Sequence, residues 1–308
     1  MEHDNKPLVL LVGPTGVGKS AAALALAEAT GGEIINGDSM QVYRGFDIGT
    51  DKPPAADRRR VPHHLLDILD PSAQFTAADF VACAFSAATA VLRRGGIPYV
   101  VGGTGLYIKA LLDGLFPGPG RDPAVRAALE EEARTAGLAA LHGRLAAVDP
   151  AYAAKIGPRD KVRIIRALEV FTTTGEPLST HFRRTESRMR EFGILRLGLE
   201  LERKELYRRI ESRVDRMFAR GLVEEVRALL AAEVDERAAP FKAIGYRRVL
   251  AHIKGEISLE EAIALTKTDT RHYAKRQMTW FRKMEGFYWF PADDDAGLLD
   301  FVRKELAA

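Results

Sequence analysis

The sequence predicts an α/β fold: a parallel sheet flanked by helices, with a mainly helical insertion. Three observations carry that expectation. Short apolar runs alternate with helix-forming stretches through the first third of the 308 residues. Glycine-containing turns follow the apolar runs, as expected where parallel strands end and ligand loops begin. Pro-Gly-Pro-Gly at 117–120 then breaks the alternation, and largely helical sequence follows to about Arg190.

Residues 7–12 have the length and composition of a buried parallel strand. They lead into Gly13, Pro14, Thr15, Gly16, Val17, Gly18, Lys19 and Ser20, a full match to G-x-x-x-x-G-K-[ST]. Residues 20–29 are rich in alanine and leucine and stop at Gly31-Gly32, as a helix with a glycine terminator does. This order points backbone N–H groups and a helix N-terminus at one anion. The sheet is therefore read as P-loop NTPase-like, and residues 13–20 as a di- or triphosphate site. Lys19 is assigned to the terminal phosphate and the Ser20 hydroxyl to a Mg2+ ion. Nucleotide hydrolysis does not follow from the loop alone. Whether a nucleoside triphosphate also enters the loop stays open.

Residues 33–36 read as a second strand that delivers Asp38 to the same carboxyl edge as the loop. Metal ligation, proton abstraction from an attacking nucleophile and a helix N-cap are the three roles open to it. Residues 75–94 fit a helix ended by Gly95-Gly96, and 97–101 fit a central strand. That strand opens into Gly102, Gly103, Thr104 and Gly105, where nucleotide-hydrolysing enzymes usually carry a metal-binding aspartate. Glycines there let backbone approach a ligand, and Thr104 offers one hydroxyl.

Past the Pro-Gly boundary, residues 122–132 begin a helical stretch broken at Gly137, Asp149-Pro150, Gly157-Pro158 and 175–177. A strand at 194–201 returns to the sheet. Three helices follow, at about 203–220, 223–232 and, from a capping box Ser258-x-x-Glu261, to Met284. The expected division is a core at 1–116, a helical insertion at 117–193 and a return to the core at 194–308.

Composition is ordinary for a soluble protein, at 46% hydrophobic and 8% aromatic residues. No apolar stretch approaches the ~20 residues that span a bilayer, and the polar start shows no targeting segment. A single cysteine, Cys83, excludes an internal disulfide and a Cys-rich zinc module. A cytoplasmic location and a monomer are the simple expectations. The net charge of +3 hides an asymmetry, since residues 117–283 carry 33 Lys and Arg against 24 Asp and Glu. A polyanionic partner or a solvated helical surface explains that equally well. His63-His64 has too few companions for a metal site. The aromatics Trp280-Phe281 and 287–290 read as core rather than a base-stacking platform.

Several motifs together resemble bacterial tRNA dimethylallyltransferases, also called tRNA isopentenyltransferases. They are the loop at 13–20, Asp-Ser-Met-Gln-Val-Tyr-Arg at 38–44, Gly-Thr-Asp-Lys-Pro at 49–53 and Pro-His-His-Leu-Leu-Asp at 62–67. Val-Gly-Gly-Thr-Gly-Leu-Tyr at 101–107, Arg-Ala-Leu-Glu-Val at 166–170, Ala-Ile-Gly-Tyr-Arg at 243–247 and the run at 271–282 complete the set. The likeness spans about residues 8–290. Gly16 replaces an alanine common in that loop, and the C-terminal zinc finger of eukaryotic relatives is absent.

The resemblance implies transfer of a dimethylallyl group from dimethylallyl diphosphate to N6 of adenosine 37, beside the anticodon of tRNAs reading codons that begin with U. It makes Asp38 the general base, Thr104 its orienting partner and Arg213 a lining of the reaction channel. It places tRNA, through its anticodon stem-loop, on Asp38, Ser39, Met40, Gln41, Thr104, Arg126, Val162, Arg163, Ile164, Ile165 and Arg166. Arg271, Lys275 and Arg276 would add backbone contacts. The competing readings are an adenylate isopentenyltransferase acting on AMP, ADP or ATP, a small-molecule P-loop kinase and a nucleic-acid-binding NTPase.

Overall fold

The computed structural model describes residues 6–116 and 118–307; Pro117 of the boundary motif and the first five residues lie outside this range. Six parallel strands form one sheet: β1 Lys6–Val12, β2 Gly32–Asn36, β3 His63–His64, β4 Ile97–Gly102, β5 Phe192–Glu200 and β6 Tyr288–Pro291. Their order is β3-β2-β4-β1-β5-β6. Leu8, Val9, Leu10, Leu11 and Val12 are fully buried, because β1 has neighbours on both edges and helices on both faces. Val9 and Leu11 join Tyr99, Val101 and Leu197 on one face, under helices Lys19–Thr30, Arg203–Ala219 and Asp295–Ala307. Helix Ala77–Arg93 lies against β2 and β4. It starts two residues later than the sequence suggests, because Thr76 and Asp79 form a reciprocal capping box.

Register brings the working ends together. Val12 pairs with Gly102 on one side and with Gly198 on the other, so the loops after β1 and β4 leave the sheet side by side. A second core, containing Phe46, Phe241 and Tyr246, lies beneath the irregular segment after β2. It is built with helices Leu222–Ala231 and Ile244–Ile253.

The chain forms two compact units, one ending at Leu112 and resuming at Arg188, the other running Asp113–Ser187. The expected insertion, 117–193, begins and ends later than the smaller unit. Phe192 belongs to the sheet, pairing with Lys6 and packing edge-on against Phe85 at 5.8 Å. Among the described residues five α-helices follow β5 rather than three. Ile244–Ile253 and Asp295–Ala307 were not expected from the sequence: Gly245 and Gly297 fall in their first turns, where glycine is a turn signal. Ser258 does accept the Glu261 N–H as expected.

The smaller unit is helical, with helices Pro123–Thr135, Leu138–Val148, Lys161–Thr174 and Leu178–Arg184 and a single turn at Pro150–Ala153. Leu129, Leu141, Leu145, Ile164, Ile165 and Leu168 make its core. Asp122, Asp149 and Asp160 cap three of its helical segments.

Candidate active site

The loop after β1 is built to receive an anion. Gly18 caps helix Lys19–Thr30 at φ 112°, a backbone region closed to most side chains, and among the described residues no side chain caps the first N–H groups of the helix. Those donors are therefore left for a ligand. Lys19 Nζ rests on the Gly13 and Pro14 carbonyls, each at 2.9 Å. Burial, and then the nearby Arg213 charge, lower its pKa to about 7 against the pull of Asp38.

Asp38 reaches this loop through a fixed turn. Asn36, nearly buried at the end of β2, accepts the Asp38 N–H and donates to the Asp38 carbonyl, both at 3.0 Å. Gly37 N–H donates to Val101 at 2.8 Å, and the strands approach so closely that a Cβ on Gly102 would sit 2.4 Å from the Gly37 carbonyl oxygen. Gly102 therefore has a packing reason as well as a ligand one. The Asp38 carboxylate accepts the Met40 N–H at 2.8 Å. No helix follows Asp38, so the helix-cap alternative is corrected to a local turn. Burial raises the Asp38 pKa above the ordinary carboxylate value, opposed by the Met40 N–H, Lys19, Gln41 and Arg213.

Thr104 does not touch the Asp38 carboxylate. Its Oγ1 accepts the Ser39 N–H at 3.1 Å and donates to the Ser39 hydroxyl at 3.4 Å, so it acts on the residue next door. Arg213 enters from helix Arg203–Ala219. It donates to Thr15 Oγ1 at 2.7 Å and lies 3.3 Å from Asp51, while its Nε is buried with no partner among the described residues. Such a donor fits an incoming anion.

Lys19, Asp38 and Arg213 line one cavity of about 610 Å³, and Thr104 is not among its lining residues. Its lining includes Thr15, Lys19, Ser20, Asp38 and Arg213, with Val214, Met217 and Ile244 supplying apolar wall. Thr266 and Thr270 also line it, and their hydroxyls are spent on the Ala262 and Thr266 carbonyls at 2.7 Å each. The cavity therefore offers an anion site, a carboxylate and a largely apolar flank. Three participants went unnoticed in the sequence. Gln277 ties the Thr15 N–H (2.8 Å) to the Gly103 carbonyl (2.7 Å). Tyr273 is held protonated by burial and by the neighbouring Asp38. Asp51 faces Arg213. The repeated polar positions on one long helix were the available signal for Gln277 and Tyr273.

Mg2+ meets a suitable but incomplete donor set. Ser20 lines the cavity exposed, and hydroxyl plus phosphate oxygens suit that hard cation. No group of three or more His, Cys, Asp or Glu side chains that could hold a metal occurs among the described residues. The ion would therefore depend on ligand oxygens.

The expected tRNA contacts divide. Ser39, Met40 and Gln41 line the cavity, though the Gln41 amide is engaged with the Thr50 and Asp51 carbonyls. Arg271 pairs with Glu211, while Lys275 and Arg276 are exposed, with Arg276 5.9 Å over the Tyr273 ring. In the smaller unit Val162 is 68% exposed, and Arg163 is exposed and pairs with Asp160. Ile164 and Ile165 are buried in that unit's core, which corrects their assignment as contact residues. They sit on the inward stripe of helix Lys161–Thr174, so tRNA cannot touch their side chains. Arg126 and Arg166 both face the buried Glu169, at 3.6 and 3.0 Å. His64 pairs with Glu33 at 2.6 Å. Trp280, read as core, is 43% exposed, because it lies outward on its helix against Gly105; Tyr288 is also exposed.

Fold and site together define a P-loop α/β protein whose phosphate cradle faces a carboxylate and whose β4 ends in glycines. The chain belongs to the IPP transferase family, whose model matches residues 41–284; an isopentenyl transferase model matches residues 6–66. It is 54% identical over 288 residues to the tRNA dimethylallyltransferase of Geobacter metallireducens, covering 94% of this chain and 93% of that one. The crystal structure of the tRNA isopentenylpyrophosphate transferase of Bacillus halodurans superposes with a TM-score of 0.73 at 40% identity, over 98% and 97% of the two chains. A eukaryotic dimethylallyltransferase, captured in crystallographic snapshots acting on tRNA, gives 0.79 at 31% identity, over 94% of this chain and 75% of its own.

Proposed function

We propose that this chain is a tRNA dimethylallyltransferase. It transfers a dimethylallyl group from dimethylallyl diphosphate to N6 of adenosine 37 in tRNAs reading codons that begin with U, giving N6-isopentenyladenosine and diphosphate. One observation carries the chemistry: Asp38 shares a cavity with Lys19, Arg213 and an uncapped helix N-terminus, and β4 ends without a metal-binding aspartate. The site suits transfer to a nucleophile better than hydrolysis.

The N6 lone pair attacks the allylic C1, the C1–O bond breaks, and its electrons leave with diphosphate. Asp38 takes the N6 proton, and its raised pKa makes it a stronger acceptor than a solvated carboxylate. The loop N–H groups, Lys19 and Arg213 stabilise the charge that gathers on the leaving group. Ser20 and the diphosphate oxygens would hold Mg2+, which when bound neutralises part of that charge. The apolar flank at Val214, Met217 and Ile244 shelters the prenyl carbons from water. Adenosine 37 must leave the anticodon-loop stack to enter.

Among the described residues no helix is long and apolar enough to cross a membrane. A tRNA substrate supports a cytoplasmic location, and one chain contains the whole cavity, which supports a working monomer. Carbon-labelled dimethylallyl diphosphate tests the reading against unmodified tRNA and against AMP. Label retained on tRNA and lost when adenosine 37 is replaced by guanosine is the expected result. Label moving to AMP instead makes the chain an adenylate isopentenyltransferase.

A further inference from the structure

Asp51 stands in the donor cavity and takes no part in the transfer chemistry. Its Oδ2 lies 3.3 Å from Arg213 Nη1, and both residues line the cavity with Lys19 and Ser20. Thr15 already holds the other terminal nitrogen of Arg213, at 2.7 Å. The guanidinium thus reaches the cavity with one terminal nitrogen held by a loop hydroxyl and the other facing a carboxylate.

The position of Asp51 is fixed from both sides. Before it, Glu225 accepts the N–H groups of Asp47 (3.2 Å) and Ile48 (2.8 Å), and the buried Tyr246 hydroxyl accepts that of Gly49 at 3.2 Å. After it, the buried Lys52 ammonium donates to the Tyr43 carbonyl at 2.5 Å, Asp47 at 2.7 Å and Asp67 at 2.5 Å. Asp51 itself has φ 55°, a left-handed conformation that Asp and Asn enter more readily than other side chains. A loop anchored in this way keeps a negative charge at the phosphate site instead of letting it swing into water.

We infer that Asp51 sets the affinity of the site for diphosphate by opposing it, an inference that rests on the reading of this cavity as the diphosphate site. Asp51 competes with an incoming diphosphate for the charge of Arg213, and a diphosphate drawn to Arg213 Nε, unpartnered among the described residues, lies near a like charge. Both effects weaken donor and product alike. The donor keeps the burial of its prenyl carbons to offset this opposition, whereas free diphosphate does not and leaves sooner. Asp51 is 39% exposed, so solvent keeps the effect moderate.

Calorimetric titration of inorganic diphosphate at fixed Mg2+, without tRNA, into the wild type, Asp51→Asn and Asp51→Gly tests this. Both substitutions suit φ 55°, so the fold survives them. The expected result is a Kd roughly three- to tenfold lower in both variants, with diphosphate becoming a stronger product inhibitor by a similar factor. An unchanged or higher Kd overturns the inference; a higher Kd restored by added Mg2+ does so by making Asp51 a metal ligand. Tighter diphosphate binding in the variants, with no prenyl transfer to tRNA by the wild type, defeats the proposed function alone. Transfer by the wild type with no tightening in the variants defeats this inference alone.

Discussion

Gln277 and Thr15 are 262 residues apart in sequence, and Gln277 Oε1 accepts the Thr15 backbone N–H at 2.8 Å. The same amide donates from Nε2 to the Gly103 carbonyl at 2.7 Å. One side chain thus fixes the spacing between the glycine-rich loop after β1 and the loop that carries Thr104. Gly103 has no side chain to intervene, since a Cβ there would lie 2.3 Å from Gln277 Nε2.

Gln277→Ala should cost ~1–3 kcal/mol, because it leaves the half-buried Thr15 N–H and the buried Gly103 carbonyl without partners. Gln277→Glu should cost more, since a carboxylate oxygen would then face the Gly103 carbonyl. Denaturant unfolding of both variants measures the order, and equal stability to wild type would refute the clamp. Diphosphate affinity should fall with stability in both.

Asp38→Asn keeps the acceptor for the Met40 N–H but cannot take the N6 proton. Single-turnover prenyl transfer should slow by ~10²–10⁴-fold, with diphosphate affinity little changed. Rate recovery at raised Mg2+ would reassign Asp38 to metal binding. Near-wild-type transfer at every Mg2+ concentration would remove it from the chemistry.

Lys19 gives the donor site a pH dependence with a definite sign. With its pKa lowered to about 7 in the free protein, Lys19 is charged below that pH and loses its proton above it. Diphosphate binding restores the proton, so affinity should weaken by up to tenfold per pH unit as pH rises above about 7. Lys19→Arg, whose guanidinium stays charged, should flatten the profile measured by calorimetry between about pH 6 and 9.

The helix carrying Val162 and Ile164 separates surface from core. Ile164→Ala should destabilise by ~2–5 kcal/mol, whereas Val162→Ala should stay within ~0.5 kcal/mol. Thermal melting of the two variants checks the contrast. A loss of tRNA affinity in Val162→Ala at unchanged stability would mark a true contact.

Binding of tRNA should depend steeply on salt, because each phosphate contact releases counterions. With several contacts, affinity should fall by roughly 10³-fold between 50 and 200 mM salt. Filter binding across that range checks it, and a flat profile would disconnect the basic surface from RNA.

Much of the fold was legible because it is written in short-range chemistry. The run at 7–12, the phosphate loop and the alanine-rich helix after it follow from composition and glycine placement within 25 residues. Helices Ile244–Ile253 and Asp295–Ala307 were not legible, since Gly245 and Gly297 in their first turns read as turn signals. Ile164 and Ile165 were assigned to tRNA by motif, while their place on the inward stripe depends on where the rest of the helical unit packs.

By itself the sequence determined the glycine-rich loop at residues 13–20, the helix that follows it and a carboxylate after the second strand. Backbone geometry that a few residues dictate needs no distant partner. Only the tertiary structure decided that Thr104 reaches Ser39 rather than the Asp38 carboxylate. It alone placed Asp51 against Arg213 and let Gln277 bind two loops at once. Those contacts join residues 65, 162, 174 and 262 positions apart. A distance of about 3 Å between such residues is set by sheet register and helix packing, which no local pattern encodes.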